Sequence, residues 1–488
     1  MNDDISVVLV SNRGPVSFVK QEDGGWDIER GAGGLSGALD PVARRLGDRA
    51  TWVASATSDT DKEALAAGAA DGLASKLGYA LYLLDFDPDA YSRYYDVVSN
   101  RMLWFAVHCL WDELGIKDFG DEELSAWSAA YEPVNARFAQ AVLEIAEPDS
   151  IILFQDYHLT LAPGYLRRAR PSQTIFHFTH SSFCGPDGLE RLPAPIPRSV
   201  IEGMLGADLL GFHVAQWVDG FLACCDRIGA KVDRTAGLVE HEGHHTWVRE
   251  YPIPIDSKDL HERSKGHEAL DWAKHFDENT PGPLVVRADR TEPSKNIVRG
   301  FEAFGRLLDR RADLRGKARF VACLYPSRQT MREYRRYSEE ITAAVDHVNG
   351  RYPDSIELFM ENDYERTIGA LIKYDVLLVN PIMDGMNLVS KEGPTVNERD
   401  GVLVLTRGAG SFEELGEAAV AVSDALDIES TTDALERAVD MEGRERSRRA
   451  EQMRATVRSR TPGDWIEAQL QDLVEVQAKR EPVTPPCC

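Results

Sequence analysis

Two short stretches in the second half of the chain carry residues suited to gripping an anion. "RADRTEPSKN", Arg287 to Asn296, follows an apolar run and holds Arg290 and Lys295 on either side of Pro293. A guanidinium fork and an ammonium point charge at that spacing can converge on one diphosphate. "DGMNLVSKE", Asp384 to Glu392, follows the run Val376 to Val379. Asp384-Gly385 reads as a turn and Asn387 as a helix start. Amides around Asn387, Leu388 and Val389 then point out of the helix end and form an anion site. Glu392 stands one turn beyond Leu388, about 5.4 Å along the same face, a step that matches the distance from a nucleotide's diphosphate to its ribose hydroxyls. Each stretch also has a plainer reading, as solvated surface bases or as a capped helix with Lys391 and Glu392 exposed. Two such loops in the same half of the chain weaken that reading.

The first half offers matching groups. "SNRGPVSF" puts Arg13 at the end of the first apolar run, and "GAGGLSGAL", Gly31 to Leu39, is a glycine-rich loop opening a helix. Its spacing is not that of the dinucleotide fingerprint. "FQDYHL" supplies Asp156 and His158, "FHFTHSSF" supplies His180, and "YPSRQ" in the second half supplies Arg328. His158 is read as a structural core histidine. "HEGHH", His241 to His245, is read as an exposed hairpin rather than a metal site.

Positioning these groups requires a regular scaffold. Short β-branched runs such as "ISVVLVS", "SIILFQ", "PLVVRADR" and "GVLVLT" alternate with longer helical patterns throughout. Strands alternating with helices imply parallel sheets covered on both faces. A chain of 488 residues exceeds one hydrophobic core. The expectation is therefore an α/β protein with two Rossmann-like, doubly wound domains whose ligand site lies in the cleft between them. The boundary falls near the prolines of "YPIPIDSKDL", giving domains of 1–255 and 256–460. A helix over 461–481 closes the chain, with Ile466, Leu470, Leu473 and Val474 on one face, and crosses back to the first domain; 482–488 is a frayed tail.

Composition narrows the partners. Lys plus Arg is 55 against 80 for Asp plus Glu, a net charge of −25. That field repels nucleic acid and anionic lipid, so a phosphorylated small molecule needs a local basic cluster. No window reaches the apolar length of a membrane span, and the start "MNDDISVVLVSNRG" does not read as a signal peptide. Seven scattered cysteines, Cys109, Cys184, Cys224, Cys225, Cys323, Cys487 and Cys488, are expected as reduced thiols of a cytoplasmic protein. The ending "PPCC" lacks the polybasic neighbours of a lipid anchor. A homo-oligomer is compatible with this composition.

Taken together, "VSNRGPVSF", "YYDVVSNRMLW" (Tyr94 to Trp104), "QDYHL", the Arg290–Lys295 pair and "DGMNLVSKE" resemble the trehalose-6-phosphate synthase family, retaining glycosyltransferases of GT-B fold. The resemblance covers most of the chain. It implies transfer of glucose from UDP- or GDP-glucose to glucose-6-phosphate, with no cofactor or metal beyond the substrates. It assigns Arg290, Lys295 and backbone groups of Asn387, Leu388, Val389, Ser390 and Lys391 to the donor diphosphate, and Glu392 to the ribose. Tyr364 falls near the base, and Asp384, His180, Gly33 and Gly34 fall beside the donor. Arg13, Tyr95 and Arg328 are assigned to the acceptor phosphate, Asp156 to an acceptor hydroxyl, and Trp104 to the acceptor pocket wall. Where the family carries an Ile-Pro-Phe-Pro run after the histidine, this chain has His180-Ser181-Ser182-Phe183-Cys184. That departure leaves open a sibling transferase using glycerol-3-phosphate or an aminocyclitol phosphate. A non-catalytic sugar-phosphate sensor is the other alternative.

Overall fold

The computed structural model describes residues 5–22, 25–30, 34–69 and 76–479. Gly33 and the tail 482–488, with Cys487 and Cys488, lie outside the described residues. The chain divides into two compact units: Met1–Trp111 with Lys117–Tyr251 and Gly463–Cys488, and Asp112–Ile116 with Pro252–Pro462.

The first unit contains β1 (Val7–Arg13), β2 (Val16–Lys20), β3 (Trp26–Arg30), β4 (Ala50–Ser55), β5 (Ala80–Leu84), β6 (Ile151–Gln155), β7 (Thr174–Phe178), β8 (Leu209–Phe212), β9 (Lys231–Asp233), β10 (Leu238–His241) and β11 (His244–Glu250). Nine of these form one sheet in the order β5-β4-β1-β6-β7-β8-β11-β10-β9. The strands from β5 to β11 are parallel. At the centre, β1 and β6 pair Val7 with Ile151 through Val10 with Phe154, all of them buried. Covering on both faces is why these strands read as unbroken apolar runs. The β10–β11 hairpin closes through Glu242 and Gly243, both at positive φ (51° and 79°), the geometry of a tight two-residue turn. No group of His, Cys, Asp and Glu is placed to hold a metal ion among the described residues. The β2–β3 ribbon was not anticipated from the sequence.

The second unit contains β12 (Leu284–Arg290), β13 (Arg319–Tyr325), β14 (Ile356–Met360), β15 (Val376–Val379), β16 (Val402–Thr406) and β17 (Val420–Val422). They form a wholly parallel sheet in the order β14-β13-β12-β15-β16-β17. The helix Ile297–Arg310 buries Ile297, Phe301, Phe304, Leu307 and Leu308 against it, a stripe at helical spacing. Phe301 and Phe304 meet Phe320 edge-on at 5.2 and 5.3 Å. Truncating either to Ala costs about 3–5 kcal/mol by cavity formation.

Two expectations need correction. In the closing helix Pro462–Lys479 the buried face is Trp465, Ile466, Gln469, Leu473 and Val476, while Val474 is exposed. The face was misread because a glutamine occupies a core position: Gln469 donates to the Trp465 carbonyl. Trp465 itself donates to the Tyr251 carbonyl, and the Tyr251 hydroxyl donates to Asp472 at 2.6 Å.

The reduced-thiol expectation holds for Cys224, Cys225 and Cys323 but fails for one pair, because Cys109 and Cys184 form a disulfide across a separation of 75 residues. Spacing of that length carries no sequence signal. The pair is brought together when Cys184 N–H and Ser182 Oγ both donate to the Val107 carbonyl. By contrast Cys224 and Cys323 are buried thiols pushed up to about 12 by desolvation, which makes them inert. In denaturant, two fewer thiols should titrate before reduction than after it. Closing a loop of 75 residues corresponds to about 4 kcal/mol of chain-entropy stabilisation, so the double variant Cys109→Ser, Cys184→Ser should unfold several degrees earlier. Equal thiol counts in the two titrations would refute the bond.

Candidate active site

In the second unit, β12 ends in three charges, Arg287, Asp289 and Arg290, of which only the last leaves the core. Arg287 is fully buried, and its guanidinium donates to Asp289 Oδ2 at 2.8 and 3.1 Å and to the Lys295 carbonyl at 3.0 Å. Gly300 makes room for it: a Cβ there would lie 2.5 Å from Arg287 Nη1. Burial holds the Asp289 carboxyl above its usual range despite the cations beside it. Lys295 is nearly buried. Its ammonium donates to Asp384 Oδ2 at 2.5 Å and lies 3.8 Å from Asp289. Burial pulls its pKa down, but the two carboxylates outweigh that and the net shift is upward, so Lys295 is held protonated. Arg290 follows at the strand end with a half-exposed side chain, its guanidinium 3.3 Å from Glu292.

The Asp384–Glu392 segment is shaped by its backbone. Asn387 adopts a left-handed conformation (φ 69°), its side chain donates to Asp384 Oδ2 at 3.0 Å, and its Oδ1 caps Ser390 N–H at 3.1 Å. The helix Val389–Val396 follows. The first-turn amides of Leu388 and Val389 therefore have no acceptor within the helix. A neighbouring loop fixes this arrangement. Asp384 N–H donates to Gly408 O, Gly410 N–H to Asp384 O, and Ser411 N–H to Met386 O.

Not every residue assigned to this segment faces the same way. Lys391 is buried, donates to the Ile253 carbonyl at 2.8 Å and pairs with Glu414. Ser390 Oγ is spent on Asn387 O and Ser411. These two can serve an anion only through their backbone. Glu392 is partly buried, and desolvation raises its carboxyl to about 7 against the opposing effect of a hydrogen bond from Tyr364. The Arg263 guanidinium covers the Tyr364 ring at 5.7 Å.

Arg328, at the loop after β13, is mostly buried and left-handed (φ 46°). Its Nη1 donates to Glu292 at 3.0 Å and to the Tyr334 hydroxyl at 2.6 Å.

The first unit gathers the remaining candidates. Arg13 donates to the Tyr95 hydroxyl at 3.1 Å and lies over its ring. Tyr95 sits in the π-helical segment Arg93–Leu103, a winding frequent at functional sites. It stacks on Tyr91 at 5.9 Å and on His158 at 5.7 Å; His158 Nδ1 is in turn 3.9 Å from Asp156. The histidine read as structural thus stands between two candidate residues. Asp156 has φ 72°, a strained conformation for a non-glycine residue, and its Oδ1 accepts from His180 N–H at 3.2 Å. His180 Nε2 bonds Gln155 Oε1 at 3.0 Å; an amide oxygen only accepts, so the proton is on Nε2 and Nδ1 is an acceptor. Burial, reinforced by His213 and His177, keeps the ring neutral. Trp104 packs against His108 and Tyr157. Gly34 begins the helix Gly34–Leu46.

Sequence reasoning missed Arg287, Asp289, Glu292 and the Gly408–Ser411 loop. Charges inside the strand "LVVRADR" were the available signal, since an ion buried in a parallel strand must be paired.

Two Rossmann-like α/β units, with charged loops following the parallel strands, make this a GT-B fold. The family model for glycosyltransferase family 20 matches residues 5–475. A trehalose-6-phosphate synthase from Mycobacterium sp. (strain JLS) is 31% identical over 493 residues, covering 97% of each chain. Among solved structures, an alpha,alpha-trehalose-phosphate synthase (UDP-forming) from Burkholderia vietnamiensis is 25% identical with a TM-score of 0.79, covering 96% of this chain and all of that one. A second, from Burkholderia xenovorans in complex with glucose-6-phosphate, is 25% identical with a TM-score of 0.80 over the same shares. The chain belongs to glycosyltransferase family 20, the trehalose-6-phosphate synthase family, and is a hexosyltransferase.

The loop that shapes the Asp384 segment has no spare room. A Cβ at Gly408 would lie 1.9 Å from Ile382 O, and one at Gly410 2.1 Å from Gly385 O. Gly408→Ala should destabilise the protein by roughly 1–3 kcal/mol and remove hydrogen-exchange protection from residues 384–392. Unchanged protection there would show that the loop does not brace the segment.

Proposed function

We propose that this enzyme transfers glucose from a nucleoside-diphosphate glucose, UDP- or GDP-linked, to glucose-6-phosphate with retention, releasing α,α-trehalose 6-phosphate and nucleoside diphosphate. The observation that carries this reading is the clustering of Lys295, Asp384 and Asn387 at one helix start, with Arg290 on the same loop as Lys295. The names of the curated relatives and the bound glucose-6-phosphate of the Burkholderia xenovorans structure support the acceptor.

In this reading Arg290, Lys295 and the amides of Leu388 and Val389 hold the donor diphosphate. As the bond from the anomeric carbon to the diphosphate breaks, negative charge grows on the leaving oxygen, and these fixed donors stabilise it. The acceptor hydroxyl forms its bond on the same face of the sugar, and its proton passes to the departing diphosphate. Asp156 orients the acceptor hydroxyl. Neutral His180 and Asp384 contact the donor sugar, His180 offering Nδ1 as an acceptor. Trp104 walls the acceptor pocket, while Arg13, Tyr95 and Arg328 are assigned to the acceptor phosphate. Gly33 and Gly34 are assigned to the donor, Glu392 to the ribose and Tyr364 to the base. No metal or cofactor has a role in this scheme.

One feature favours a second reading with another phosphorylated acceptor, such as glycerol-3-phosphate or an aminocyclitol phosphate. The segment after His180 is held by the Cys109–Cys184 bond and by hydrogen bonds to Val107 rather than by prolines. Incubation with UDP- or GDP-glucose and each acceptor, with the product identified by mass, separates the two; absence of trehalose 6-phosphate with either donor would sink the first.

Arg290→Ala should lower turnover by about 10²–10³-fold, because the charge it stabilises grows only as the diphosphate leaves. Arg328→Ala should chiefly raise the acceptor KM. Glu392 adds a pH signature. A carboxylate accepts two ribose hydroxyls and a carboxylic acid accepts them poorly, so affinity for the sugar nucleotide should rise as pH passes upward through about 7. Glu392→Gln should flatten that profile; a wild-type profile in the variant would remove Glu392 from the ribose.

A further inference from the structure

The two arginines assigned to different phosphates meet on one atom. Glu292 Oε1 accepts from Arg328 Nη1 at 3.0 Å and from Ser327 Oγ at 3.2 Å, and it lies 3.3 Å from Arg290 Nη1. The Glu292 side chain is 0% exposed, against 8% for Arg328 and 51% for Arg290. An anion this deeply buried persists only where cations compensate it.

The backbone places Glu292 there. Adjacent parallel strands β12 and β13 set Arg290 opposite Tyr325. The loops that follow are stitched together: Thr291 N–H donates to the Tyr325 carbonyl at 2.8 Å and Ser327 N–H to Thr291 Oγ1 at 3.1 Å. Glu292 N–H donates to the Arg290 carbonyl at 2.7 Å, and its own carbonyl accepts from Lys295 N–H at 3.0 Å. Glu292 is therefore tied by backbone to both cations of its own loop and by side chain to the arginine of the next.

We propose that Glu292 is a positioning residue that couples the two phosphate grips. Arg290 and Arg328 carry like charge and would separate if left alone. One buried carboxylate oxygen holds both guanidinium groups in a fixed relation, so the donor diphosphate and the acceptor phosphate are gripped in one register. Its charge also offsets part of theirs, which keeps the cluster compact before either substrate arrives. This rests on the assignment of Arg290 to the donor and Arg328 to the acceptor made above.

The test uses the full chain and the variants Glu292→Gln and Glu292→Asp. Glu292→Gln should lower kcat and raise the acceptor KM, each on the order of tenfold or more, as expected when catalytic groups shift by a fraction of an ångström. Glu292→Asp, which keeps the charge, should recover part of both and serves alone if the glutamine variant does not fold. In an Arg328→Ala background, Glu292→Gln should leave the acceptor KM within about twofold, because the group it positions is gone. A residue acting only on global stability would instead lower the thermal midpoint and multiply its kinetic effect in every background. Wild-type kcat and acceptor KM in Glu292→Gln, or fully multiplicative effects with Arg328→Ala, would overturn the proposal.

Calorimetric titration with inorganic pyrophosphate separates this from the functional reading. Pyrophosphate should bind wild type and bind Glu292→Gln differently, and that difference should vanish in an Arg290→Ala background. Such binding without glucosyl transfer would defeat the functional reading alone, whereas failure of wild type to bind pyrophosphate would defeat both.

Discussion

Lys295 and Asp384, 89 residues apart in sequence, meet at 2.5 Å, and most of the candidate donor site is organised around that contact. An ammonium in this position is nearly out of water, and burial by itself pulls its pKa down. Asp384 on one side and Asp289 on the other keep it charged. Asp289 in turn is held by Arg287, which no solvent reaches. Removing one partner of such a buried pair costs about 3–5 kcal/mol, because the remaining charge is left uncompensated. The network therefore fixes geometry more than it adds stability.

That arrangement also resolves a problem of charge. A protein of net charge −25 does not attract phosphorylated metabolites at long range. Under the proposed function Arg290, Lys295 and Arg328 supply the local positive charge such a ligand needs, each beside an acid that limits their mutual repulsion. The acids are not competitors to be discarded. They set the positions from which the cations act, and preorganised dipoles and charges stabilise a developing anion without reorganising.

Backbone conformations that side chains rarely adopt occur in the same places as well as in turns elsewhere. Asn296, Arg328 and Asn387 are left-handed in the second unit and Asp156 is strained in the first, each beside a candidate residue or one itself. Such conformations persist only where surrounding bonds over-determine them. For Asn387 those bonds run to Asp384 and Ser390, and for Asp156 to the backbone of Phe178 and His180. Strain here is the by-product of forcing polar groups to the ends of parallel strands.

Along the chain alone, the alternation of apolar runs and helical stripes was already legible, and with it the parallel α/β sheets. So were the loops "RADRTEPSKN" and "DGMNLVSKE", because charge type and spacing along one segment are local properties. What the sequence could not show is any contact that closes over long separations: the Cys109–Cys184 bond, the stacking of His158 on Tyr95, the Gly408–Ser411 brace on Asp384 and Met386, or Glu292 beneath Arg328. Lys391 and Val474 show the same limit from the other side. The plainer reading of "DGMNLVSKE" left Lys391 exposed and helical spacing placed Val474 in the core, yet packing buries the lysine on Ile253 and exposes the valine. Which face of a helix is covered, and which charge finds a partner, depends on neighbours distant in the chain. Only the tertiary structure brings those neighbours into contact.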